Sequence, residues 1–420
     1  MQDDTPQRGR SLSLIIPALN EAQAVGETLT RAMDAARGLT ASGTLTRCEV
    51  ILVNDGSTDD TLERARAIPG VKVVSYKQNR GYGRAIETGF ATASGDWLAF
   101  MDADGTCDPA FLRNLLDEAE RTGADTVLGS RLHQQSKMPV VRRIGNTFYA
   151  WLLRVISGKP IGDTASGMRI LKRELLARIH PLPHGLAYTP AMSARCIMDP
   201  TLRLAEIDMP YSERQGESKL SVIRDGLRFL HTILVTGLFY SPIRVFGGLG
   251  LAGGATGMLV VALLQLFRSP GRDALLPLSV VILSSAAAVV ALGVIFHYFS
   301  KQIIPEFPTT RAEVWIHRVF TVPVLLSASA VLWMVSFVLA FPAPTSPVGV
   351  GALQPHAAML VLHLALLCLI MGAGVFIVGQ MKIWQVREDP ASLLANTLIF
   401  EPGATEAGPE QTPPEASTAA

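Results

Sequence analysis

Trp97-Leu98-Ala99-Phe100-Met101-Asp102-Ala103-Asp104 is the stretch that decides how the first half of this chain folds. Five apolar residues between an acid and an acidic turn read as a short buried strand. Two carboxylates on alternate residues close it, and the two-residue period of extended chain points both toward one side. Acids that close repel unless a cation or hydrogen bonds offset them, and a hard divalent ion bridging a diphosphate is the usual solution. A helix N-cap at the strand end accounts for one Asp but hardly for both.

Outward from this strand the same rhythm recurs. Leu12-Ser13-Leu14-Ile15-Ile16 and Glu49-Val50-Ile51-Leu52-Val53 each end in turn residues and lead into a helical pattern with acids in its first turn. Val71-Lys72-Val73-Val74 and Thr126-Val127-Leu128-Gly129 continue the series. Strands alternating with helices predict a doubly wound α/β sheet of buried parallel strands, with ligands at the strand C-terminal ends. After the second strand, Asn54-Asp55-Gly56-Ser57-Thr58-Asp59 forms an acidic, glycine-containing turn that suits a nucleotide. Asp55 can accept hydrogen bonds from a base, Gly56 lets the backbone come close, and Ser57 or Thr58 can cap the next helix. An ordinary Asp-Gly-Ser loop has the same composition.

The second half is different in kind. Of the 420 residues, 49% are hydrophobic and only 17% charged, well below the roughly 25% charged of soluble domains. The excess is concentrated in four uncharged stretches, 245–267, 275–299, 320–341 and 357–380, each near the ~20 residues that a membrane span needs. Four such runs in succession predict four transmembrane helices rather than core helices of a soluble domain. Lys219, Arg224, Arg228 and Arg244 precede the first, Lys301, Arg311 and Arg318 lie between the second and third, and Lys382 and Arg387 follow the fourth. This bias predicts a multi-pass protein of the cell (inner) membrane with both termini cytoplasmic. Residues 221–244, where apolar residues alternate with Arg224, Arg228 and His231 ahead of Pro242, read as an amphipathic helix on the inner leaflet, a core helix being the alternative. Glycines of the first span (Gly247, Gly250, Gly253, Gly254, Gly257) have small-xxx-small spacings for packing within the chain or in a homo-oligomer. The domain plan is therefore an extension over 1–10, an α/β domain over 11–220, the interfacial helix, the spans and their connections over 245–400, and a Pro-, Glu- and Ala-rich tail over 401–420 that is expected to be disordered.

Several classes are disfavoured. With 37 basic against 36 acidic residues there is no basic excess to bind nucleic acid. Four cysteines without a Cys-x-x-Cys pair suggest neither a zinc site nor a disulfide framework. The N-terminal MQDDTPQRGR lacks the apolar core of a secretory signal. No internal repeat is apparent.

Taken together, residues 11–220 resemble the family two glycosyltransferases of the GT-A fold, most closely the polyprenyl-phosphate branch that includes dolichol-phosphate mannose synthase. Ile15-Ile16-Pro17-Ala18-Leu19-Asn20-Glu21 is similar to that family's opening strand and turn, residues 54–59 to its nucleotide turn, and Asn79-Arg80-Gly81-Tyr82-Gly83-Arg84-Ala85 to its glycine-rich stretch. Asp102-Ala103-Asp104 is similar to its metal motif, and Gly129-Ser130-Arg131, the stretch from Asp163 to Arg169, and the stretch from Arg214 to Lys219 follow in the family's order. The resemblance implies that Pro17, Asn20, Glu21, Asp55, Gly56, Ser57 and Ala103 contact the nucleotide. It further implies that Asp102 and Asp104 hold Mg²⁺ or Mn²⁺, and that Arg131 and Arg214, with Lys219 nearby, receive phosphate charge. Asp163 is the reserve base, or a helix cap. Arg142, Arg143 and Asn146 fall where the family has basic residues for a lipid phosphate. Three departures stand out: Leu19 where an aromatic residue is frequent, Asn54 for Asp, and Thr106 where a Gln commonly assists the metal.

Physical chemistry favours the same acceptor. A phosphate monoester, with a second pKa of about 6, is already largely anionic at neutral pH and needs no dedicated base. It needs cationic groups to hold two anions together, for which guanidinium forks are suited. The expected reaction is inverting transfer of one sugar from a UDP- or GDP-sugar to undecaprenyl or dolichyl phosphate. A processive polysaccharide synthase is the alternative, but the chain lacks a Gln-x-x-Arg-Trp motif. An inactive membrane scaffold that binds nucleotide sugars is a third reading, disfavoured by the intact aspartate pair.

Overall fold

Strands that are apolar on both faces must be covered by helices twice over. The computed structural model has that architecture, and it describes residues 10–132, 138–212, 214 and 221–266, scattered positions from 282 to 300, and residues 394, 397–402 and 410–411. The chain divides into one unit of Met1–Ile233 with Trp384–Ala420 and another of Leu234–Ile383.

In the first unit, β1 (Ser11–Ala18), α1 (Val25–Ala41), β2 (Arg47–Asn54), α2 (Thr61–Arg66), β3 (Val71–Tyr76), α3 (Tyr82–Thr92), β4 (Trp97–Met101), α4 (Leu112–Thr122) and β5 (Thr126–Ser130) alternate as expected. α5 (Val140–Ser157), β6 (Met168–Lys172), α6 (Leu176–Ile179), α7 (Tyr188–Met198) and β7 (Leu204–Asp208) follow. Successive side chains go to opposite cores. Leu12, Leu14 and Ile16 of β1 with Val50 and Leu52 of β2 meet α1 and α4, whereas Ile15, Ile51 and Val53 meet α3 and α7.

The five strands expected from sequence run in one direction, but the sheet is mixed because it adds strands of the opposite sense. Its order is β7-β5-β6-β4-β1-β2-β3, continued by two C-terminal strands. β1 to β4 pair in parallel, but β6 lies antiparallel between β4 and β5. Nothing in Met168-Arg169-Ile170-Leu171-Lys172 announces a strand, because a fully buried arginine interrupts the apolar pattern. The antiparallel direction matters. β6 starts at the edge where β4 and β5 end, so residues 163–167 arrive beside Asp102 and Arg131.

The other C-terminal expectations fare unevenly. α8 (Val222–Tyr240) forms over the stretch read as amphipathic, and α9 (Pro242–Leu266) overlaps the first expected span. α9 is long and apolar enough over Pro242–Val260 to cross a membrane. The other three expected spans lie wholly or mostly outside the described residues. β8 (Thr397–Phe400) pairs antiparallel with β3, and β9 (Glu410–Gln411) pairs with β8 inside the tail expected to be disordered. The exposed edge of β3 explains this, since its unpaired backbone groups accept a further strand. Lys72 and Glu401, 2.6 Å apart, and Arg66 over the Phe400 ring fasten it.

Candidate active site

A pocket of about 540 Å³ opens at the C-terminal ends of the parallel strands. At its floor, β4 delivers Asp102 and Asp104. Asp104 is buried, and its Oδ1 accepts hydrogen bonds from the Thr106 backbone N–H at 3.1 Å and hydroxyl at 2.6 Å. Thr106 thus orients Asp104 and does not itself line the pocket. Asp104 Oδ2 lies 3.1 Å from Arg214 Nη1, and the other Arg214 nitrogen bonds Glu21. Asp102 accepts a 2.7 Å hydrogen bond from the Tyr82 hydroxyl. Burial, reinforced by the charge of Asp104, pushes the Asp102 carboxyl up to about 7 despite Tyr82, Arg131 and Arg214. Both aspartates therefore face one space and feel each other.

Arg131, just past β5, is held by the loop that precedes β6. Its Nε and Nη2 lie 2.7 and 3.0 Å from the Asp163 carboxylate, its backbone N–H also donates there, and Nη2 reaches the Ala165 carbonyl. Burial works to raise Asp163, but Arg131 overrides it and holds the carboxyl below its usual range. Asp163 is fully buried and outside the pocket lining, so its observed task is to anchor Arg131. This geometry gives no support to a base role. Arg131 itself reaches the pocket wall.

The nucleotide turn is stapled from two sides. Asn20 has a left-handed φ of 49°; its N–H donates to the Ser57 hydroxyl and its Oδ1 accepts from Thr58 N–H at 2.8 Å. With Ser57 and Thr58 so engaged, α2 starts later than expected, at Thr61, whose N–H is capped by Asp59. Asp55 accepts from the backbone N–H groups of Arg80 and Gly81 at 2.7 and 3.0 Å, and burial raises its pKa against those bonds. Gly56, at φ +74°, makes this possible, because a Cβ there would come within 2.5 Å of Asn79 N.

The opposite end of the pocket is made of helices. Met138, Val141, Arg142, Gly145, Asn146 and Tyr149 of the α5 region face Arg224, Gly226, Arg228 and Phe229 of α8. The Tyr149 hydroxyl donates to the Gly226 carbonyl at 2.9 Å, and the Tyr149 ring meets Phe229 edge-on. Here α5 carries a continuous apolar stripe that the protein leaves open: Val140, Val141, Ile144 (65% exposed), Phe148, Trp151 (54%) and Val155. Ile223 (78%) and Leu227 (63%) extend it onto α8. So many large apolar side chains exposed together mark an interaction surface.

Of the residues named from sequence, Pro17, Glu21, Asp55, Asp102, Ala103, Asp104, Arg131 and Arg214 line this one pocket. Asn20, Gly56, Ser57 and Asp163 stand behind it and hold its loops. Lys219 lies outside the described residues. Arg224 and Arg228 were legible only as charges of an amphipathic helix. Their four-residue spacing, one turn apart, is the signal that would have put them on one face.

A model of the Glycosyl transferase family 2 matches residues 13–179, from β1 to the end of α6. A dolichyl-phosphate hexose transferase of Haloferax volcanii is 33% identical over 221 residues, 51% of this chain and 89% of that protein. This chain belongs to glycosyl transferase family 2. A second relative of this glycosyltransferase is a dodecaprenyl-phosphate galacturonate synthase of Rhizobium johnstonii, 28% identical over 311 residues, 70% of this chain and 89% of that one. These relatives put the glycosyltransferase in the family's polyprenyl-phosphate branch. Among solved structures, a glucosyl-3-phosphoglycerate synthase from Mycobacterium tuberculosis in complex with Mn²⁺, UDP-glucose and phosphoglyceric acid aligns at 24% identity, with a TM-score of 0.45, over 55% of this chain and 80% of that one.

The residues present fit a divalent cation of one particular kind. Among the described residues no three His, Cys, Asp or Glu side chains group as a ligand set. Mg²⁺ typically takes one or two carboxylates and completes its shell with substrate phosphates and water. Asp102 and Asp104, both lining an open pocket, supply such a pair.

Proposed function

We propose that this glycosyltransferase moves a single sugar, with inversion, from a UDP- or GDP-sugar to a polyprenyl phosphate such as undecaprenyl or dolichyl phosphate, at the cytoplasmic face of the cell membrane and with Mg²⁺ or Mn²⁺. The observation that carries this reading is the pocket's two unlike ends. A carboxylate pair suited to a cation–diphosphate lies at one, and guanidinium groups amid exposed apolar side chains lie at the other. The names of the two relatives agree with such an acceptor.

Asp102 and Asp104 would hold the cation, which neutralises charge on the departing nucleotide diphosphate. Glu21, Asp55 and Pro17 line the floor where a nucleoside would lie. Arg214 counters Asp104 and Glu21 and is within reach of the diphosphate that would share the pocket floor. Arg142, Arg224 and Arg228 receive the acceptor phosphate, which attacks as an anion without deprotonation. Asp163 keeps Arg131 oriented on the wall between the two anions.

The exposed stripe of α5 and α8 supports attachment to the headgroup layer, where a lipid-borne phosphate resides. Trp151 is of a residue type enriched at that depth. β8 supports the topology as well. As a strand of the catalytic sheet it lies on the same side of any bilayer as residues 11–212, which is what an even number of crossings would give. Four spans satisfy that parity.

The test is direct. Purified protein in lipid is offered undecaprenyl or dolichyl phosphate with labelled UDP- and GDP-sugars and Mg²⁺. The reading predicts a chloroform-extractable lipid bearing one sugar of inverted anomeric configuration. No lipid product with any donor would overturn it, and products with many sugars would point to a processive synthase.

A further inference from the structure

Two residues that the reaction as described leaves unused converge on Asp102. Tyr82 begins α3 and lines the pocket, and its hydroxyl donates to Asp102 Oδ1 at 2.7 Å. Gly167 reaches Asp102 from the other side, in the loop that antiparallel β6 brings to the strand ends. A Cβ at 167 would stand 2.0 Å from Asp102 Oδ2 and 2.6 Å from its Cγ, a collision with the carboxylate itself. The loop cannot retreat easily, because the neighbouring Ser166 is buried and its hydroxyl is bonded to the carbonyls of Gly129 and Met168. A carboxylate with one oxygen engaged and the other packed against a bare Cα has little freedom to rotate.

We propose that Tyr82 and Gly167 are positioning residues for Asp102. The Tyr82 hydroxyl holds Oδ1, and the bare Cα of Gly167 leaves the room that Oδ2 occupies, so that the Asp102 carboxylate is fixed in place for the divalent cation. The inference rests on the cation reading above and adds residues to it. Hydrogen bonds behind a ligand orient it and tune its basicity, and losing one typically costs 10–100-fold in metal affinity. Tyr82 has a second effect. A hydroxyl donated to one oxygen spreads part of the charge of a carboxylate that sits beside Asp104, so the pair is kept together before a cation arrives.

The experiment is a titration of the full-length protein with Mn²⁺ in saturating UDP or GDP, read by loss of the free-ion paramagnetic resonance signal. Tyr82→Phe removes only the hydroxyl and should weaken Mn²⁺ on the order of tenfold or more. Its nucleotide affinity in EDTA should stay as in the unaltered protein. In turnover, the KM for Mn²⁺ should rise while kcat at saturating Mn²⁺ recovers, a split that a merely structural defect does not produce. Gly167→Ala, which displaces the carboxylate, should weaken Mn²⁺ further. Equal Mn²⁺ affinity in the unaltered protein and Tyr82→Phe overturns the inference and leaves the cation reading standing. Absence of Mn²⁺ binding by the unaltered protein overturns both.

Discussion

At the strand-end floor of the pocket each charged group has a partner: Tyr82 bonds Asp102, Thr106 and Arg214 bond Asp104, and buried Asp163 behind the floor holds Arg131, at 2.6–3.1 Å. At the α5–α8 end, Ile144, Phe148, Trp151, Ile223 and Leu227 stand exposed with arginines beside them. The floor is mostly paired within the protein, and its two close carboxylates still demand a counter-charge. The helical end is different, because apolar groups of that size exposed together mark an interaction surface. On the proposed function the contrast assigns the reactants: a hydrophilic nucleotide where polar groups are already ordered, and a lipid where the protein leaves its apolar surface bare.

Breaking the floor should have the largest effect. Asp104→Ala is expected to lower turnover by about a thousandfold or more, since a cation's charge stabilisation is worth several kcal/mol and each 1.4 kcal/mol is tenfold. Steady-state rates with saturating acceptor check this, and near-normal turnover would remove Asp104 from the chemistry. Arg131→Met leaves Asp163 charged and buried without its partner, for which a loss of about 3–5 kcal/mol of stability is expected. Urea unfolding of the variant measures it; a change within about 0.5 kcal/mol would mean that Asp163 is satisfied by the backbone alone.

The third prediction concerns pH. The Asp102 carboxyl is raised to about 7, so below that pH the folded protein holds a proton that a cation must displace. Cation affinity should fall up to tenfold per unit as pH drops below about 7, and level off above it. The same raised pKa means that the contribution of Asp102 to cation-free stability is present below its unfolded pKa of about 3.9 and is lost as pH rises through about 7. Calorimetry across pH, with and without Mn²⁺, reads both slopes. The smallest effect belongs to the helical end. Ile144→Ser with Trp151→Ser should leave stability within about 0.5 kcal/mol, as is usual for surface positions, while turnover of a long-chain acceptor in bilayers drops several-fold. Equal turnover in bilayers would deny the stripe its lipid.

Much of the floor was legible in the sequence, because it is built from local signals. An apolar run ending in Asp102-Ala103-Asp104 reads as a strand and an acidic turn wherever it is found, and Asp55 and Glu21 sit in similar turns. What escaped reading depends on long-range topology. β6 carries buried Arg169 and lacks an apolar period, so the loop holding Asp163 and Gly167 had no visible destination. Tyr82 is an ordinary aromatic in a glycine-rich stretch until α3 turns it onto Asp102. Arg224 and Arg228 become pocket residues only when Tyr149 ties α8 to α5. Thr397–Phe400 is a short apolar segment at the far end of the chain whose partner, β3, no local pattern could name.

One measurement bears most directly on the carboxylate pair: calorimetric binding of UDP and GDP to the purified protein in Mg²⁺ and in EDTA, repeated with Asp104→Ala. One nucleotide should bind at least tenfold more tightly with Mg²⁺, and the gain should vanish in the variant. Nucleotide affinity that is the same in EDTA as in Mg²⁺ would contradict a cation held by Asp102 and Asp104.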